Sequence, residues 1–427
     1  MKFAIARPET WQVCLACGAE AVETDPRTRC ARCGGLLEVQ HRGPALAREE
    51  LMRRFTERRG GGAATASGVW RFKEVVLPSA EELVSHPEGN TPLLQRDPVD
   101  EWTGIRELLL KHEGHNPTGS FKDRGMTVGV TQARRIGAAA VACASTGNTA
   151  ASLAAYAAQA GIPALVFVPA GNIAMGKLAQ SLAYGARTLL VRGDFDECLR
   201  LVEQASERLG VYLLNSINPF RLEGQKTIVL ELLQQLGWQA PEWIVVPAGN
   251  LGNTAAFGKA LQEAKAWGLI DRMPRVAAVQ AEGAAPFARS FAEGFARRHT
   301  VKAETVATAI RIGDPASYAR AVRTIRDTDG VVVAVPDAEI LEAKAVVDAA
   351  GVGCEPASAA SVAGARRLLA TGTILPDERV VAVLTGHVLK DPGILLDYHM
   401  EREPAPPRAN RPVEIAPSLA EVEKLLR

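Results

Sequence analysis

The sequence predicts an α/β protein with mostly parallel β-sheets, because strand-like and helix-like segments alternate along most of the chain. Short apolar runs are separated by helical stretches of about 10 to 20 residues, and repeated strand-then-helix units build parallel sheets. Glycine is plentiful, with 38 residues, and aromatic residues make up only 5%, which suits close packing of helices on sheets. The predicted strands are Val141–Ala144, Ala164–Val168, Thr188–Val191, Val211–Leu214, Trp243–Val246, Val276–Val279, Val331–Val335 and Val380–Leu384. The helices between them include Thr149–Ala160, Phe195–Arg208 and Asp337–Ala350.

The length, charge balance and cysteine content of the chain limit the classes of function that it can serve. Its 427 residues leave room for about two or three domains. Basic residues number 49 and acidic residues 48, so the net charge of +1 provides no global field for nucleic acid or an acidic membrane. The seven cysteines are an odd set without a disulfide framework, and no run of about 18 apolar residues occurs. We therefore expect a cytoplasmic protein with neither a membrane nor a nucleic-acid partner.

The first cysteines form two Cys-x-x-Cys pairs, Cys14 with Cys17 and Cys30 with Cys33. Glycine follows each pair and allows a tight turn, and four thiolates complete the closed tetrahedral shell of a structural zinc site. The sequence therefore predicts a zinc-ribbon-like module with no open metal position for catalysis. The loop between the pairs is shorter than the usual roughly 15 to 20 residues, so a ribbon without metal and a redox pair stay open as alternatives. A nucleic-acid-binding ribbon is a minor alternative, because no basic stripe with interleaved aromatic residues is present.

Two segments flank the predicted α/β body. Leu46–Arg59 is an arginine-rich helical stretch that ends in three glycines, which indicates a linker between the ribbon and the body. The C-terminal segment is rich in proline and then weakly helical, with Leu419, Val422 and Leu425 on one side. This spacing predicts a terminal helix docked on the body.

The loop Glu113–Gly125 carries Lys122 at the start of a predicted helix, after a turn of proline, glycine and serine residues. The positive end of a helix disfavours an ammonium group, which favours a neutral amine able to form an imine with an aldehyde cofactor. The Gly-x-x-x-x-Gly-Lys-Ser/Thr pattern of a phosphate-loop lysine is absent. The alternative interpretation is a surface charge, the usual situation of a lysine.

Two further loops join a predicted strand to a helix. Residues Ser145–Thr149 bring hydroxyls, an amide and free backbone N–H groups to a helix N-terminus, which is a receptor for a carboxylate or another anion. A simple helix cap explains the same residues equally well. Residues Gly249–Asn253 form a glycine-rich turn whose backbone can wrap a phosphate without a cationic side chain. Because Gly-x-Gly-x-x-Gly is not matched, a nicotinamide cofactor is disfavoured.

The last two loops follow the strands that end at Leu214 and Leu384. The segment Asn215–Thr227 offers an amide, a hydroxyl and Arg221, whose planar fork suits a phosphate. A capped helix start with a surface arginine is its alternative interpretation. The segment Leu384–Pro392 offers the hydroxyl of Thr385 to a bound ring, and its His387 is expected to be structural.

Together these loops resemble those of the threonine synthases, pyridoxal phosphate enzymes of the tryptophan synthase β-subunit fold, or fold type II. The likeness covers about Trp70 to Pro392, and its most specific pieces are NSINPFRLEGQKT at Asn215 and LTGHVLKDP at Leu384. One departure is Val388, where the family commonly has glycine. The resemblance implies two open, twisted, mostly parallel α/β domains with the cofactor between them. The implied divisions are a zinc-ribbon-like module at 1–43, a large cofactor-binding domain at 44–118 and 214–400, a small α/β domain at 119–213, and a tail with a helix at 401–427.

The resemblance also implies roles for single residues. Lys122 would carry pyridoxal phosphate covalently, Asn148 would hydrogen-bond its phenolic oxygen, and Thr385 would meet its pyridine nitrogen. A hydroxyl at that nitrogen does not force ring protonation as a carboxylate would. The implied residues for the cofactor phosphate are Gly249, Asn250, Leu251, Gly252 and Asn253. Those for the substrate are Thr146 and Thr149 at its carboxylate, and Asn215, Ser216, Arg221 and Asn250 at its phosphate.

The implied reaction converts O-phosphohomoserine and water to L-threonine and phosphate by γ-elimination and β-addition, in an expected homodimer. Lys122 would shuttle protons at several steps. The nearest rival is another fold type II enzyme, a threonine dehydratase or a β-replacement synthase, which needs no second phosphate site. A rival of a different class is a non-catalytic zinc-ribbon binding protein, which would be colourless.

Overall fold

The computed structural model describes residues 9–170, 175–193 and 195–426, except for the side chains at 175–177 and 195–196. The predicted small domain at 119–213 thus includes residues 171–174 and 194, which lie outside the described residues. The strands are β1 (Thr10–Cys14), β2 (Glu20–Val22), β3 (Leu37–His41), β4 (Leu93–Leu94), β5 (Glu107–His112), β6 (Ala140–Ala144), β7 (Ala164–Pro169), β8 (Arg187–Val191), β9 (Val211–Leu213), β10 (Trp243–Pro247), β11 (Arg275–Ala281), β12 (Val331–Val335) and β13 (Arg379–Leu384).

Helices connect most of these strands. They are α1 (Arg48–Glu57), α2 (Lys73–Val76), α3 (Asp97–Thr103), α4 (Lys122–Arg135), α5 (Asn148–Ala160), α6 (Met175–Ala183), α7 (Phe195–Leu209), α8 (Pro219–Gln225), α9 (Thr227–Gln235), α10 (Gly252–Ala266), α11 (Pro286–Ala292), α12 (Tyr318–Asp327), α13 (Asp337–Ala349), α14 (Pro356–Ala370), α15 (Pro392–Leu396) and α16 (Leu419–Leu425). Every strand predicted from an apolar run is present, so the predicted α/β class is confirmed.

The largest sheet has the strand order β12-β11-β10-β13-β5-β4. Its strands run parallel except for β4, which pairs antiparallel with β5 at one edge. Strand β10 is buried along its whole length, because α9 and α10 cover one face of the sheet and α13 and α14 cover the other. Continuous apolar runs are what a parallel strand covered on both faces requires.

A smaller parallel sheet has the order β8-β7-β6-β9. The alanine-rich helix α5 packs on one face with part of α4, and α7 packs on the other face. The small side chains of α5 allow the helix to approach the sheet closely. Cys143 and Cys198 are buried in the cores beside this sheet and Cys354 in the core of the large sheet, as predicted for packing residues.

The N-terminal residues form an antiparallel sheet of order β2-β1-β3. Strand β3 rests on the body, where its Val39 joins the core that α9 and α10 share with the large sheet. The N-terminal sheet therefore belongs to the packed structure and is not a loose appendage.

Two features differ from the sequence-based expectation. Strand β5 was not predicted, because it ends in Lys111 and His112, which read as surface residues but are fully buried. The prediction of a docked terminal helix is wrong. Helix α16 forms, but Leu419 is 73% and Leu425 58% exposed, because no apolar surface of the described chain lies against their side of the helix.

None of the helices in the described ranges has the length and apolar character that a bilayer span requires.

The carboxyl ends of five parallel strands carry the loops singled out above. The lysine loop follows β5, the Ser145–Thr149 turn follows β6, and the Asn215–Thr227 segment follows β9. The glycine loop follows β10, and the Thr385 loop follows β13. Ligands of open α/β sheets bind at such strand ends, so the fold gathers the predicted chemistry between the largest sheet and the smaller parallel sheet.

Candidate active site

Lys122 is the first residue of α4 and is held by contacts on both sides of it. The Asp123 carboxylate accepts hydrogen bonds from the Thr118 amide at 2.7 Å and from the Thr118 hydroxyl at 2.6 Å. The Phe121 amide donates to the Thr385 carbonyl oxygen at 3.0 Å, and Ser120 forms a β-bridge with Gly386. The lysine loop is thus fastened to the Thr385 loop, as a shared ligand site requires.

The amine of Lys122 is poised between its charged and neutral forms. Its pKa is lowered from 10.5 to about 7: burial is the largest cause, the charge of Arg221 acts in the same direction, and the charge of Glu355 opposes both. The Nζ atom lies 4.0 Å from the centroid of the Phe121 ring. The sequence predicted this lowered basicity from the helix end, whereas burial is its largest cause. A large share of these amines is neutral near pH 7 and able to attack an aldehyde.

A buried network of charges fixes the helix that begins at Lys122. Arg124 binds Glu113 at 2.6 Å and Glu231 at 2.8 Å. Lys111 and Arg71 also bind Glu231, at 2.6 and 2.9 Å. These partners hold the pKa of Glu231 well below its usual value against the effect of burial. Because removing one member would leave a buried charge unpaired, the network stabilises one position of the lysine loop.

The glycine loop has the shape of a phosphate receptor. Leu251 has a left-handed backbone with φ of 62°, and α10 begins directly after it with no side-chain cap. A Cβ on Gly249 would lie 2.9 Å from the Ile310 Cα, so only glycine fits there. Thr254 Oγ1 and Asn253 Oδ1 are buried and find no hydrogen-bond partner in the described part of the chain. Free amides and an orphaned hydroxyl at a helix N-terminus suit a phosphate.

Asn250 and Asn215 are engaged with the backbone. The Asn250 Oδ1 accepts from the Ala316 amide at 3.3 Å, and the Asn215 side chain exchanges two hydrogen bonds with Ala144, at 3.0 and 3.2 Å. Their amides therefore shape neighbouring turns, and the Asn215 bonds hold the end of β6 beside the end of β9. Ser216 is partly buried in the same segment.

The Ser145–Thr149 turn leaves the N-terminus of α5 without a side-chain cap. Gly147 is the residue before the helix, and Ser145 Oγ accepts from the Gly147 amide at 3.2 Å. Thr146 and Thr149 are partly buried on this turn. The cap interpretation of these residues is wrong, and the turn can receive an anion.

Arg221 is the clearest orphaned group in the site. Asn218 caps α8, as the alternative interpretation of this segment held, but Arg221 is only 1% exposed rather than a surface residue. Its Nη1 donates to the Leu214 carbonyl oxygen at 2.9 Å, while its Nε and Nη2 are buried and unpartnered among the described residues. Burial lowers its pKa to about 10. A buried guanidinium with two free donors calls for an anion such as a phosphate.

Arg221 reaches this position because α4 and α8 cross closely. A Cβ on Gly224 would overlap the Arg124 carbonyl oxygen, and one on Gly129 would lie 3.4 Å from the Arg221 Cγ. Glycine at both positions lets the two helices approach. The arginine of α8 is thereby placed near the lysine of α4, close enough for its charge to lower the lysine pKa.

Glu355 is a site residue that the sequence reasoning missed. Its carboxylate accepts from Asn148 Nδ2 at 2.9 Å and from the Thr385 hydroxyl at 3.1 Å. It directly precedes Pro356, the first residue of α14. An acidic residue just before a proline-initiated helix is the signal that would have marked it. The structure thus joins Asn148 and Thr385, which the sequence placed at one ligand.

The four early cysteines come together as predicted. Their Sγ atoms all lie within 4.8 Å of one another, with Cys14 and Cys33 at 3.4 Å and Cys17 and Cys30 at 3.8 Å. Four sulfurs at about 2.3 Å from one zinc ion would be roughly 3.8 Å apart, so the donor set and its spacing fit that metal.

The cysteine module is fastened to the helices that carry the site. His41 Nε2 lies 2.7 Å from the Glu223 carboxylate of α8, which also binds Lys226 and Lys259. On another side, Gln132 of α4 donates to the Glu23 carbonyl oxygen at 2.8 Å. The module therefore braces the helices that begin at Lys122 and carry Arg221.

Comparison with known proteins shows the family to which the chain belongs. Residues 84–386 match the family described as "Pyridoxal-phosphate dependent enzyme". The chain is 47% identical over 386 residues to a threonine synthase of Methanosarcina acetivorans, covering 90% of this chain and 93% of that protein. It is 39% identical over 424 residues to the chloroplastic threonine synthase 2 of Arabidopsis thaliana, covering 96% and 82% of the two chains. The crystal structure of threonine synthase from Escherichia coli superposes with a TM-score of 0.67 at 20% identity, covering 97% and 99%, which supports the fold.

Proposed function

The chain belongs to the family of pyridoxal-phosphate dependent enzymes and, within it, to the threonine synthases, and on that premise we propose how its residues share the reaction. The enzyme converts O-phosphohomoserine and water to L-threonine and phosphate. We propose that Lys122 holds the cofactor covalently and that the backbone of Gly249–Asn253 holds its phosphate. The amine with its pKa near 7 and the uncapped start of α10 support this assignment.

The same proposal assigns Asn148 to the phenolic oxygen of the cofactor and Thr385 to its pyridine nitrogen. Both side chains hydrogen-bond to Glu355, and the backbone of Thr385 is bonded to the lysine loop, which supports one shared ring site. When bound, pyridoxal phosphate supplies an aldehyde that captures the substrate amine and a ring that draws electrons from bonds at the α carbon.

The substrate is held at two ends in this proposal. Thr146, Thr149 and the free amides of α5 receive its carboxylate, and Arg221 with Ser216 receives its phosphate. Asn215, which the sequence also assigned to the phosphate, keeps the turn in place through Ala144. Asn250 contributes to the anion sites through its backbone, because its side-chain oxygen is occupied by Ala316.

Lys122 moves the protons in this reaction. Its amine, neutral for a large part near pH 7, accepts the proton from Cα and, once it has released that proton, accepts one from Cβ. After the phosphate leaves from Cγ, the amine delivers the Cβ proton to Cγ. Water then supplies the hydroxyl at Cβ while its other proton leaves with the phosphate, and Cα regains its proton. Arg221 stabilises the charge that develops on the leaving phosphate through its Nε and Nη2 donors. Binding at both ends keeps Cα and Cβ within reach of the same amine.

The observation that carries the proposal is the orphaned guanidinium of Arg221. A threonine dehydratase or a β-replacement synthase binds no substrate phosphate and would gain nothing from an unpaired buried cation, which is costly to keep. A zinc-ribbon scaffold without catalysis needs neither this cation nor a lysine with a lowered pKa. The site therefore favours a phosphorylated substrate.

The test compares Arg221→Met with the parent enzyme on O-phosphohomoserine. Loss of two charge-assisted hydrogen bonds should lower kcat/KM by about 10²- to 10⁴-fold. Arg320→Met is the matched control, because Arg320 is an equally buried arginine with unpartnered nitrogens but binds Leu37 of the cysteine module. An Arg221→Met enzyme with unchanged phosphate release, or with undiminished activity only on an unphosphorylated amino acid, would support the rival enzymes.

We further propose a structural zinc ion on Cys14, Cys17, Cys30 and Cys33, a homodimer, and a cytoplasmic location. The clustering of four thiols supports the zinc, and seven cysteines without a disulfide bond among the described residues suit a reducing compartment. The dimer follows the expectation from the family resemblance. Metal analysis should find about one zinc per chain, and sedimentation should find two chains per particle.

A further inference from the structure

Glu355 is a buried carboxyl group that contacts two residues of the proposed cofactor site. Its Oε2 accepts a hydrogen bond from Asn148 Nδ2 at 2.9 Å, and its Oε1 accepts one from Thr385 Oγ1 at 3.1 Å. These two side chains are the ones proposed to meet the phenolic oxygen and the pyridine nitrogen of the cofactor. One carboxyl group therefore links both contacts of the ring.

The backbone holds this carboxyl group in a fixed relation to Thr385. The Glu355 amide donates to the Gly386 carbonyl oxygen at 3.0 Å. The Ser358 hydroxyl accepts from the Gly386 amide at 2.9 Å and lies 3.0 Å from Thr385 Oγ1. A Cβ on Gly386 would collide with the Glu355 carboxylate. The contact is built into the loop and does not depend on one freely rotating side chain.

The charges around Glu355 favour its ionised form. Asn148 and Thr385 donate hydrogen bonds to it, Lys390 of the turn Val388–Lys390 faces it with positive charge, and Lys122 of α4 adds to this charge when its amine is protonated. Burial acts in the opposite direction and raises the pKa of the group overall. The donors and cations are those that a buried carboxylate needs in order to be stable.

We propose that Glu355 is a positioning residue. It accepts the hydrogen bond that the Thr385 hydroxyl donates, so that the Thr385 oxygen is left as a hydrogen-bond acceptor for a protonated ring nitrogen. A hydroxyl alone can donate or accept, so Thr385 by itself does not decide the protonation of the ring. With its hydrogen held by Glu355, Thr385 can only accept. The same carboxylate holds one N–H of Asn148 and leaves the other for the phenolic oxygen. This inference rests on the proposed roles of Thr385 and Asn148.

The test uses the full-length enzyme loaded with ¹⁵N-labelled pyridoxal 5′-phosphate, without substrate. Glu355→Gln keeps the size of the side chain but can donate to the Thr385 oxygen, which reverses that hydrogen bond. The ring ¹⁵N signal should move from the protonated towards the unprotonated range, and the cofactor Kd should rise about tenfold, as for one hydrogen bond to a charged group. Ser358→Ala removes the other hydroxyl beside Thr385 and keeps the carboxylate, so it should leave the signal in place.

The double variant Glu355→Gln/Thr385→Ala gives a second criterion. If Glu355 acts through Thr385, Glu355→Gln should shift the ring ¹⁵N signal relative to that of the parent enzyme. The double variant should then give the same ring signal as Thr385→Ala alone. An identical ring signal in the parent and Glu355→Gln, or an equal shift with and without Thr385, would overturn the inference. Should Glu355→Gln fail to fold, Glu355→Asp takes its place. Because Glu355→Asp keeps the negative charge, its cofactor ring should stay protonated, and an unprotonated ring signal in this variant would also overturn the inference. A parent enzyme that does not bind the cofactor at Lys122 would instead refute the proposed function.

Discussion

Arg221 should make the ligand-free enzyme less stable than a variant without it. Burial lowers its pKa from 12.5 to about 10, and one pKa unit corresponds to about 1.4 kcal/mol, so the buried charge costs roughly 3 kcal/mol. At pH 7 the arginine is charged in both the folded and the unfolded chain, so the whole destabilisation applies. This destabilisation decreases only as the pH rises through about 10, where the folded-state arginine loses its proton. The bond to Leu214 returns about 1 kcal/mol. Arg221→Met should therefore raise the free energy of unfolding by about 2 kcal/mol.

Thermal unfolding of the cofactor-loaded, substrate-free enzyme with and without inorganic phosphate tests this reasoning, because the cofactor phosphate then occupies the other proposed phosphate receptor, the glycine loop. In the parent enzyme, phosphate at ten times its Kd should add about 1.4 kcal/mol of stability, because it pairs with the guanidinium. Arg221→Met should melt at a higher temperature than the parent without phosphate and should lose the response to it. Arg320→Met should keep the phosphate response. A lower melting temperature for Arg221→Met together with an undiminished phosphate response would refute the account of Arg221 as an orphaned anion receptor.

Three further predictions concern the lysine, the helix crossing and the cysteine module. The rate at which apoenzyme takes up pyridoxal phosphate should rise with pH and level off above a midpoint near 7, since only the neutral Lys122 amine attacks; a midpoint near 10 in stopped-flow absorbance would contradict the burial effect. Gly224→Ala should lower the free energy of unfolding by about 2 to 4 kcal/mol in a urea titration because its Cβ overlaps the Arg124 carbonyl, whereas Gly62→Ala, in open space, should change it by less than about 0.5 kcal/mol. Cys14→Ser should release zinc and raise KM for O-phosphohomoserine several-fold, because the cysteine module braces α8. Borohydride reduction should still attach the cofactor to Lys122 in this variant. An unchanged KM in the metal-free protein would show that the module does not support the substrate site.

The sequence predicts most of the sheet framework because strands covered on both faces need continuous apolar runs. Strands such as β10 are found where those runs occur. Strand β5 escapes this criterion, since Lys111 is buried against Glu231 and only the folded structure shows the pairing. The terminal helix α16 shows the opposite failure: its apolar stripe predicts a surface to pack against, but the described chain provides none.

The candidate site is predictable as far as its loops, and less so in how each side chain is used. Arg221 could be assigned to a phosphate from its segment, but its burial and unpartnered nitrogens depend on the crossing of α4 and α8. The sequence suggests Asn215 as a ligand, but its side-chain amide hydrogen-bonds to the backbone of Ala144, 71 residues away. Glu355 reads as a surface acid, because the donors that make its burial tolerable come from distant loops.

The most direct test of the account is to measure phosphate and L-threonine together when the enzyme acts on O-phosphohomoserine. The parent enzyme should form both in equal amounts, and Lys122→Ala, which keeps Arg221 and the glycine loop, should form neither. Full phosphate release by Lys122→Ala, or phosphate release by the parent without threonine, would contradict the central claim that one amine carries the cofactor and moves the protons from elimination through addition.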